Sequence, residues 1–376
     1  MLPGAETVDL LSAAGRVLAE PVLADRDFPP VDRSVRDGFA VRAADVPGKL
    51  RVTGEVRAGE TFSAPLFPGE AVEIMTGAPV PSGADAVLMV EHTARDGGSI
   101  STDRHLAVGE NINPRGAEAH CGDTVLNPGV RLGYAAVAAL AGAGKTRVAV
   151  YRKPSAAILP TGDELVGLHE QPLPYQVRNS NAYSLAVQVS RAGGEPRILP
   201  VARDEWEATR ASIAQGLEAD LLLLSGGVSA GKYDLVEKAL ASFGAEFFFD
   251  RVLIQPGQPL VFGRVKGKFF FGLPGNPAST MVTFELFARA ALEILSGQRE
   301  TSLPLLWTRL DRDFRQKPGL TRFLPARLSP DGARVSPVSW RGSGDVPAIA
   351  RANAFLVTEP ERETWASGDW IQVLPQ

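Results

Sequence analysis

Three short stretches of this 376-residue chain hold residue types and spacings that can act on an anionic substrate. They are Thr161-Gly162-Asp163-Glu164, then Ser225-Gly226-Gly227-Val228-Ser229-Ala230-Gly231, then Gly272-Leu273-Pro274-Gly275-Asn276-Pro277. In the second stretch Gly226, Gly227 and Gly231 let backbone N–H groups converge on an anion, and Ser225 and Ser229 add hydroxyl donors. A helix starting near Asp234 would add its positive end. The plain alternative is a tight turn with Asp234 as N-cap. In the third stretch Asn276 and Pro277 suit the N-cap and first position of a helix, a role compatible with ligand binding by the same loop. Asp163, Glu164 and Asp234 offer hard oxygen ligands of the kind Mg²⁺ takes together with substrate phosphates. Taken alone, each of these carboxylates reads more readily as a cap or a surface charge than as a metal ligand.

Other chemistries are excluded. His92, His105, His120 and His169 are scattered without metal-ligand spacing and read as structural or surface residues. Cys121 is the only cysteine, which rules out an internal disulfide and a cysteine-based zinc site and fits a reducing cytoplasm. Neither a nucleophile elbow nor a Walker A loop occurs. With 39 basic and 43 acidic residues the net charge is −4, which argues against nucleic acid as a partner but allows a locally positive site. The first twenty residues lack the basic and apolar regions of a signal peptide, and the longest apolar stretch, 134–143, is far shorter than the roughly 20 residues that span a membrane. The expectation is a cytoplasmic protein with no membrane partner.

The elements that must position these loops are most legible between residues 154 and 297. Strand patterns at 156–159, 196–201 and 221–224 alternate with helical patterns at 182–192, 205–214 and 234–243. That alternation predicts a doubly wound parallel sheet covered on both faces. Residues 221–224 have no polar alternation, as expected of a strand buried on both sides. The three loops then follow strands at the carboxyl edge, where open α/β sheets bind ligands. Elsewhere the reading is coarser. It gives a helix at 8–19, a small β-containing module at 35–119, a helix at 133–142, a strand at 146–151, and a separate small β domain from about 300 onward.

Segments in order along nearly the whole chain resemble the molybdopterin molybdenumtransferase family, which includes MoeA and the E domain of gephyrin. They are 32–40 (DRSVRDGFA), 69–91 (GEAVEIMTGAPVPSGADAVLMVE), 154–165 (PSAAILPTGDEL), 179–183 (NSNAY), 220–234 (DLLLLSGGVSAGKYD), 256–263 (PGQPLVFG), 272–277 (GLPGNP) and 342–353. The resemblance implies a multidomain α/β protein in four parts. These are a linker region (1–34 and 120–150), a small β-containing domain (35–119), a molybdopterin-binding α/β domain (151–300) and a C-terminal β domain (301–376). It implies a homodimer with an active cleft shared between subunits. Its reaction is insertion of molybdate into adenylylated molybdopterin with release of AMP, assisted by Mg²⁺. A molybdopterin adenylyltransferase and the recipient molybdoenzymes are the implied pathway partners.

Residue by residue, Asp37, Thr76, Glu164, Asp204 and Asp234 match active-site polar positions of the family. Pro274 and Pro277 match the loop that shapes the pterin pocket, and Arg327 and Ser343 match cleft-facing groups of the fourth domain. Asp163 and Asp234 are the expected Mg²⁺ ligands.

The sequence also departs from the family. A loop that usually reads K-P-G-K-P is Gln255-Pro256-Gly257-Gln258-Pro259, so two cations become neutral amides. A glycine–acid–acid step reads Gly116-Ala117-Glu118, and an expected basic residue is Asn113. The chain begins in the middle of the family's first segment, which removes an N-terminal helix from the expected elements. The loop change predicts weaker oxyanion capture, with Lys232 as the neighbouring cation expected to compensate. The runner-up readings are a diverged paralogue with weak or tungstate-directed insertion, and a non-catalytic scaffold. The Gly-rich loop and the TGDEL stretch favour the enzyme.

Overall fold

The computed structural model describes residues 3–227 and 235–376. Its central element is a six-stranded sheet in the order Glu195–Ile198, Ser155–Pro160, Leu221–Ser225, Lys268–Leu273, Pro259–Val265, Glu246–Arg251. The first four strands are parallel, Pro259–Val265 runs antiparallel to them, and Glu246–Arg251 runs antiparallel to Pro259–Val265. The expected all-parallel sheet is therefore mixed. The cause is a two-residue turn at Lys266-Gly267, where φ is 50° and 77°. Two positive φ values make the hairpin turn that matches strand twist, so the Pro259–Val265 strand folds straight back onto Lys268–Leu273.

Both faces of the sheet are covered. Leu222 and Leu224 pack with Ile213, Val236, Ala239 and Leu240 under the helices Trp206–Gly216 and Leu235–Ser242. Leu221 and Leu223 point the other way, toward Leu185, Val189, Phe284 and Leu292. These come from the helix Asn181–Arg191 and from a long helix that runs Pro277–Thr283, Phe284–Ala288 as a π-turn, then Arg289–Leu295. The uninterrupted leucine run is what a strand buried on both faces requires. Asp220 ties the start of this strand to its neighbour, accepting from Ser155 N and Oγ, both at 2.9 Å. Burial raises the Asp220 carboxyl, but the Ser155 and Arg152 hydrogen bonds outweigh it and hold the group below the ordinary carboxylate range.

The helix expected at 8–19 is absent. The strand Ala5–Asp9 instead pairs antiparallel with Arg147–Tyr151, and Leu18 bridges Val150. Asp9 diverts the chain between them, since its carboxylate accepts from Ser12 N at 3.1 Å and Ser12 Oγ at 2.8 Å. Such a local side-chain turn competes with a helix, and pairing with a distant strand decides the outcome. Leu18, Val22, Leu132, Leu140, Val148 and Val150 form the core there, with the helix Tyr134–Gly142 on one side.

Between these segments lies a second six-stranded sheet. Its order is Ala86–Met89, Gly38–Val41, Glu70–Ile74, Gly48–Val56, Ser99–Thr102, Ala94–Asp96.

The C-terminal strands close into a barrel, because Thr321–Leu328 pairs with both Arg334–Pro337 and Ala354–Thr358. This barrel is joined to the α/β unit rather than separate from it. The strand Ile254–Gln255 adds to it in parallel, with Gln255 opposite Arg322. Ala278 and Val282 of the long helix share a core with Phe323, Ile349 and Phe355. Among the described residues no helix is long and apolar enough to cross a membrane.

Candidate active site

Strand register brings the three loops to one level. Pro160 lies opposite Ser225, and Ser225 opposite Leu273, so the chain leaves the sheet at three adjacent points of its carboxyl edge. Between the exits is a cleft of about 540 Å³. Thr161 and Glu164 of the first loop, Ser225 and Gly226 of the second, and Gly275, Asn276 and Pro277 of the third all line it.

The second loop turns tightly against the first. Gly226 has φ +95° and donates its N–H to Leu273 O at 3.1 Å. A Cβ at Gly226 would lie 2.7 Å from the Thr161 carbonyl oxygen, and one at Gly227 2.7 Å from Thr161 Oγ1. Backbone therefore forms the wall at this corner, as expected where a chain must approach a ligand without side chains. Val228, Ser229, Ala230, Gly231, Lys232, Tyr233 and Asp234 lie outside the described residues, so the site roles read for Ser229, Gly231 and Asp234 have no geometry here.

Asn181 organises the site and was absent from the candidate residues. Its Nδ2 donates to Gly275 O at 2.7 Å, with Ser225 Oγ at 3.1 Å and Thr280 Oγ1 at 3.2 Å also within reach. It thereby links the second and third loops from the start of its own helix. The signal was present in the NSNAY stretch, which carries asparagines on both sides of a helix start. Arg178, Asn179 and Ser180 of the same segment line the cleft too, and Arg178 supplies a cation. Two buried polar atoms in the wall, Thr161 Oγ1 and Asn181 Oδ1, have no hydrogen-bond partner among the described residues. Such atoms are uncommon in folded proteins and mark places where a ligand or water completes the bonding.

In the third loop Pro277 opens the helix and Asn276 precedes it, as expected, but the Asn276 side chain makes no capping bond. Its carbonyl accepts from Thr280 N at 3.0 Å, and the exposed residue lines the cleft. Pro274 is buried, and its carbonyl accepts from Thr280 Oγ1 at 2.5 Å. Ser343 does not line the cleft; its carbonyl accepts from Ala278 N at 2.9 Å, while Gly344 and Val346 do line it. Arg327 does not line it. Its Nη1 instead approaches Arg351 O at 3.3 Å on the exposed side of the barrel.

Asp163, Glu164 and Asp204 form an acidic group, and of the three only Glu164 lines the cleft. Asp204 N donates to Asp163 Oδ1 at 3.2 Å. Burial first, then the charges of Asp163 and Glu164, raise the Asp204 carboxyl above its ordinary value. Asp37 and Thr76 are brought together elsewhere, in the small sheet. Asp37 Oδ1 accepts from Thr76 N at 2.7 Å and Thr76 Oγ1 at 2.8 Å. These two bonds, the backbone one first, lower the Asp37 carboxyl and keep it ionised. No residue of this small sheet lines the cleft of the same chain. The two departures in the small domain satisfy each other, since Asn113 Nδ2 donates to Glu118 Oε1 at 2.9 Å.

Known proteins resemble the whole chain. Residues 1–144 match the family description "MoeA N-terminal region (domain I and II)", 157–294 match "Probable molybdopterin binding domain", and 308–376 match "MoeA C-terminal region (domain IV)". A protein of Staphylococcus epidermidis named molybdopterin molybdenumtransferase is 32% identical over 377 residues, 98% of this chain and 90% of its own length. A Staphylococcus aureus protein of the same name is 32% identical over 378 residues, with the same coverage of each. Among solved structures, a molybdopterin biosynthesis MoeA protein from Pyrococcus horikosii superposes with a TM-score of 0.74 at 33% identity, covering 100% of this chain and 95% of that one. A second MoeA structure, from Pyrococcus horikoshii OT3, gives 0.79 at 28% identity with the same coverage.

Proposed function

This chain belongs to the molybdopterin molybdenumtransferase family, and on that premise we propose that its α/β cleft holds adenylylated molybdopterin while molybdate is inserted and AMP leaves. It is a transferase of molybdenum cofactor biosynthesis. The observation that carries the site assignment is the bare backbone corner at Gly226-Gly227, flanked by Ser225, Asn181 and the unpartnered Thr161 hydroxyl. Backbone N–H groups and Arg178 suit the phosphates. Leu165, Val177 and Val346 give the pterin ring an apolar surface, and the amides of Asn181 and Asn276 suit its polar edge. Insertion closes both dithiolene sulfurs on molybdenum as one molybdate oxygen leaves as water with the two thiol protons, while a second water cleaves the phosphoanhydride and AMP carries away the adenylyl group. Glu164 lines the cleft and serves as the carboxylate that takes the proton of that water.

The donor set fits a magnesium ion. Asp204 N donates to Asp163 Oδ1, and the Asp204 carboxyl is raised by burial first and then by the charges of Asp163 and Glu164, which a cation bound there would offset. Among the described residues no three His, Cys, Asp or Glu side chains are placed to hold a metal ion together, so an ion at these carboxylates would need substrate phosphates to complete its shell. When bound there, magnesium neutralises charge on the phosphoanhydride, and Asp234 is the further carboxylate we assign to it. The active form we propose is a homodimer. The Asp37–Thr76 pair sits outside the cleft of its own chain, so a second protomer supplies it. We place the protein in the cytoplasm, between the adenylyltransferase that makes its substrate and the molybdoenzymes that receive its product.

Fluorescence titration with molybdopterin tests the site. One equivalent should bind per protomer, and Asn181→Ala should weaken binding by about tenfold or more, since removing it frees both loops. Unchanged affinity in that variant would contradict the assignment.

A further inference from the structure

Away from the cleft, the α/β unit and the barrel enclose a second cavity, of about 250 Å³. Gln188 and Arg191 of the helix Asn181–Arg191 line it, with Met281 and Glu285 of the long helix and Phe355 and Pro375 of the barrel. None of these residues lines the cleft. Gln188 is only 9% exposed. Its Nε2 donates to Glu285 Oε1 at 2.7 Å and to Met281 O at 3.1 Å. Both neighbours are acceptors, so the amide fits only one way round, and its Oε1 has no partner among the described residues. A buried acceptor left open costs stability unless something donates to it. The π-turn Phe284–Ala288 carries Glu285, and turns of this kind recur at functional sites.

The charges around the cavity do not balance. Arg289 Nη1 donates to Glu293 Oε1 at 2.6 Å, and Arg289 Nε lies 3.8 Å from Glu285 Oε2. One guanidinium between two largely buried carboxylates leaves a negative charge over. Arg191 is three residues from Gln188, on the same helix face, and lines the same cavity. Its guanidinium makes no hydrogen bond or ion pair among the described residues. A surplus anion and an unpaired cation therefore border one small apolar-walled space without meeting.

We propose that this cavity binds a free α-amino acid with an apolar side chain. The ligand ammonium donates to Gln188 Oε1 and to Glu285, and supplies the positive charge that Arg289 alone does not provide for two carboxylates. The ligand carboxylate takes the Arg191 guanidinium, whose fork matches it. The side chain packs on Met281, Phe355 and Pro375. Other small molecules satisfy less of the site. A plain amine leaves Arg191 unpaired, and a fatty acid brings a second anion beside Glu285. The volume lies just below the roughly 300–1,000 Å³ of sites for drug-sized ligands, which suits a metabolite of amino-acid size.

Calorimetric titration of the protein with L-phenylalanine and L-methionine is the test. N-acetyl-L-phenylalanine, which lacks the ammonium, and phenethylamine, which lacks the carboxylate, serve as analogues. Either amino acid should bind once per protomer and raise the melting temperature as its concentration rises. Each analogue should bind about tenfold more weakly than L-phenylalanine, since each loses one charge-assisted contact. Arg191 is exposed, so Arg191→Gln should fold as wild type. It should bind L-phenylalanine about tenfold more weakly and phenethylamine as before. Glu285→Gln should weaken both ligands alike. Should Glu285→Gln fail to fold, Arg191→Gln and the two analogues carry the test. No binding of either amino acid at about 10 mM would overturn the proposal. So would equal binding of L-phenylalanine and both analogues, which would make the cavity a plain apolar hole. Wild-type affinity for L-phenylalanine in both variants would overturn it as well.

Discussion

Replacing Gly226 by alanine puts a methyl group 2.7 Å from the Thr161 carbonyl oxygen, inside any real contact distance. The neighbour is backbone, held by Thr161 N donating to Ser225 O at 3.1 Å, so it cannot rotate away. The residue must also keep φ near +95°. A left-handed backbone costs an L-residue about 1–2 kcal/mol, and an overpacked methyl adds about 1–3 kcal/mol. The total of about 2–5 kcal/mol is a large fraction of the stability of one domain. At roughly 2–4 °C per kcal/mol for a unit of this size, the α/β unit should melt about 4–20 °C lower. If the loop moves instead to relieve the clash, the melt is spared and the ligand wall is lost. Scanning calorimetry and molybdopterin titration on the same variant cover both cases. Gly275→Ala is the control, because its Cβ would meet Gly226 Cα at an ordinary 3.7 Å, and it should fold as wild type. A Gly226→Ala protein with wild-type melting and wild-type molybdopterin affinity would refute the packing argument and the site together.

Thr161→Val removes a buried hydroxyl that has no partner among the described residues, so stability should hold or rise slightly. Molybdopterin affinity should fall severalfold, roughly 0.5–1.5 kcal/mol for one hydrogen bond, and equal affinity by titration would return the hydroxyl to a purely structural role. Asp204→Asn should raise the melting temperature at neutral pH. In wild type the folded carboxyl titrates above its unfolded value, so between the two values the folded state holds more protons and stability falls as pH rises. Above that window the penalty is fully present, and the variant lacks it. Melts from pH 4 to 8 should therefore diverge toward high pH, and added magnesium should stabilise wild type more than the variant. A lower melting temperature for Asp204→Asn at pH 8 would contradict this. Finally, inactive Asp37→Ala and Asp234→Asn proteins, mixed and allowed to exchange subunits, should recover about a quarter of wild-type turnover, because half the dimers are mixed and each holds one intact cleft. No recovery despite exchange, followed by native mass spectrometry, would place the whole site within one chain.

The α/β unit was legible because its signals are local. The leucine run at 221–224 and the glycine-rich exit after it depend on the residues themselves, and strand register then delivers the loops side by side. The hairpin at Lys266-Gly267 was also written locally, as a short polar break between apolar runs, but the alternating pattern upstream drew the reading toward parallel strands. The N-terminal strand was not legible. Its partner, Arg147–Tyr151, lies more than a hundred residues away, and pairing overrode a weak helical pattern. Asn181 was missed for a related reason. It belongs to no glycine-rich or acidic stretch and becomes significant only through a distant contact, with Gly275.

The central claim is that this cleft turns adenylylated molybdopterin into molybdenum cofactor. Purified protein incubated with that substrate, molybdate and Mg²⁺ should release one AMP per pterin. It should also yield a pterin product that contains molybdenum and activates a cofactor-free molybdoenzyme, with both signals lost in Gly226→Ala. Tight pterin binding with neither AMP nor molybdenum in the product, from a protein that is folded and dimeric, would contradict the account.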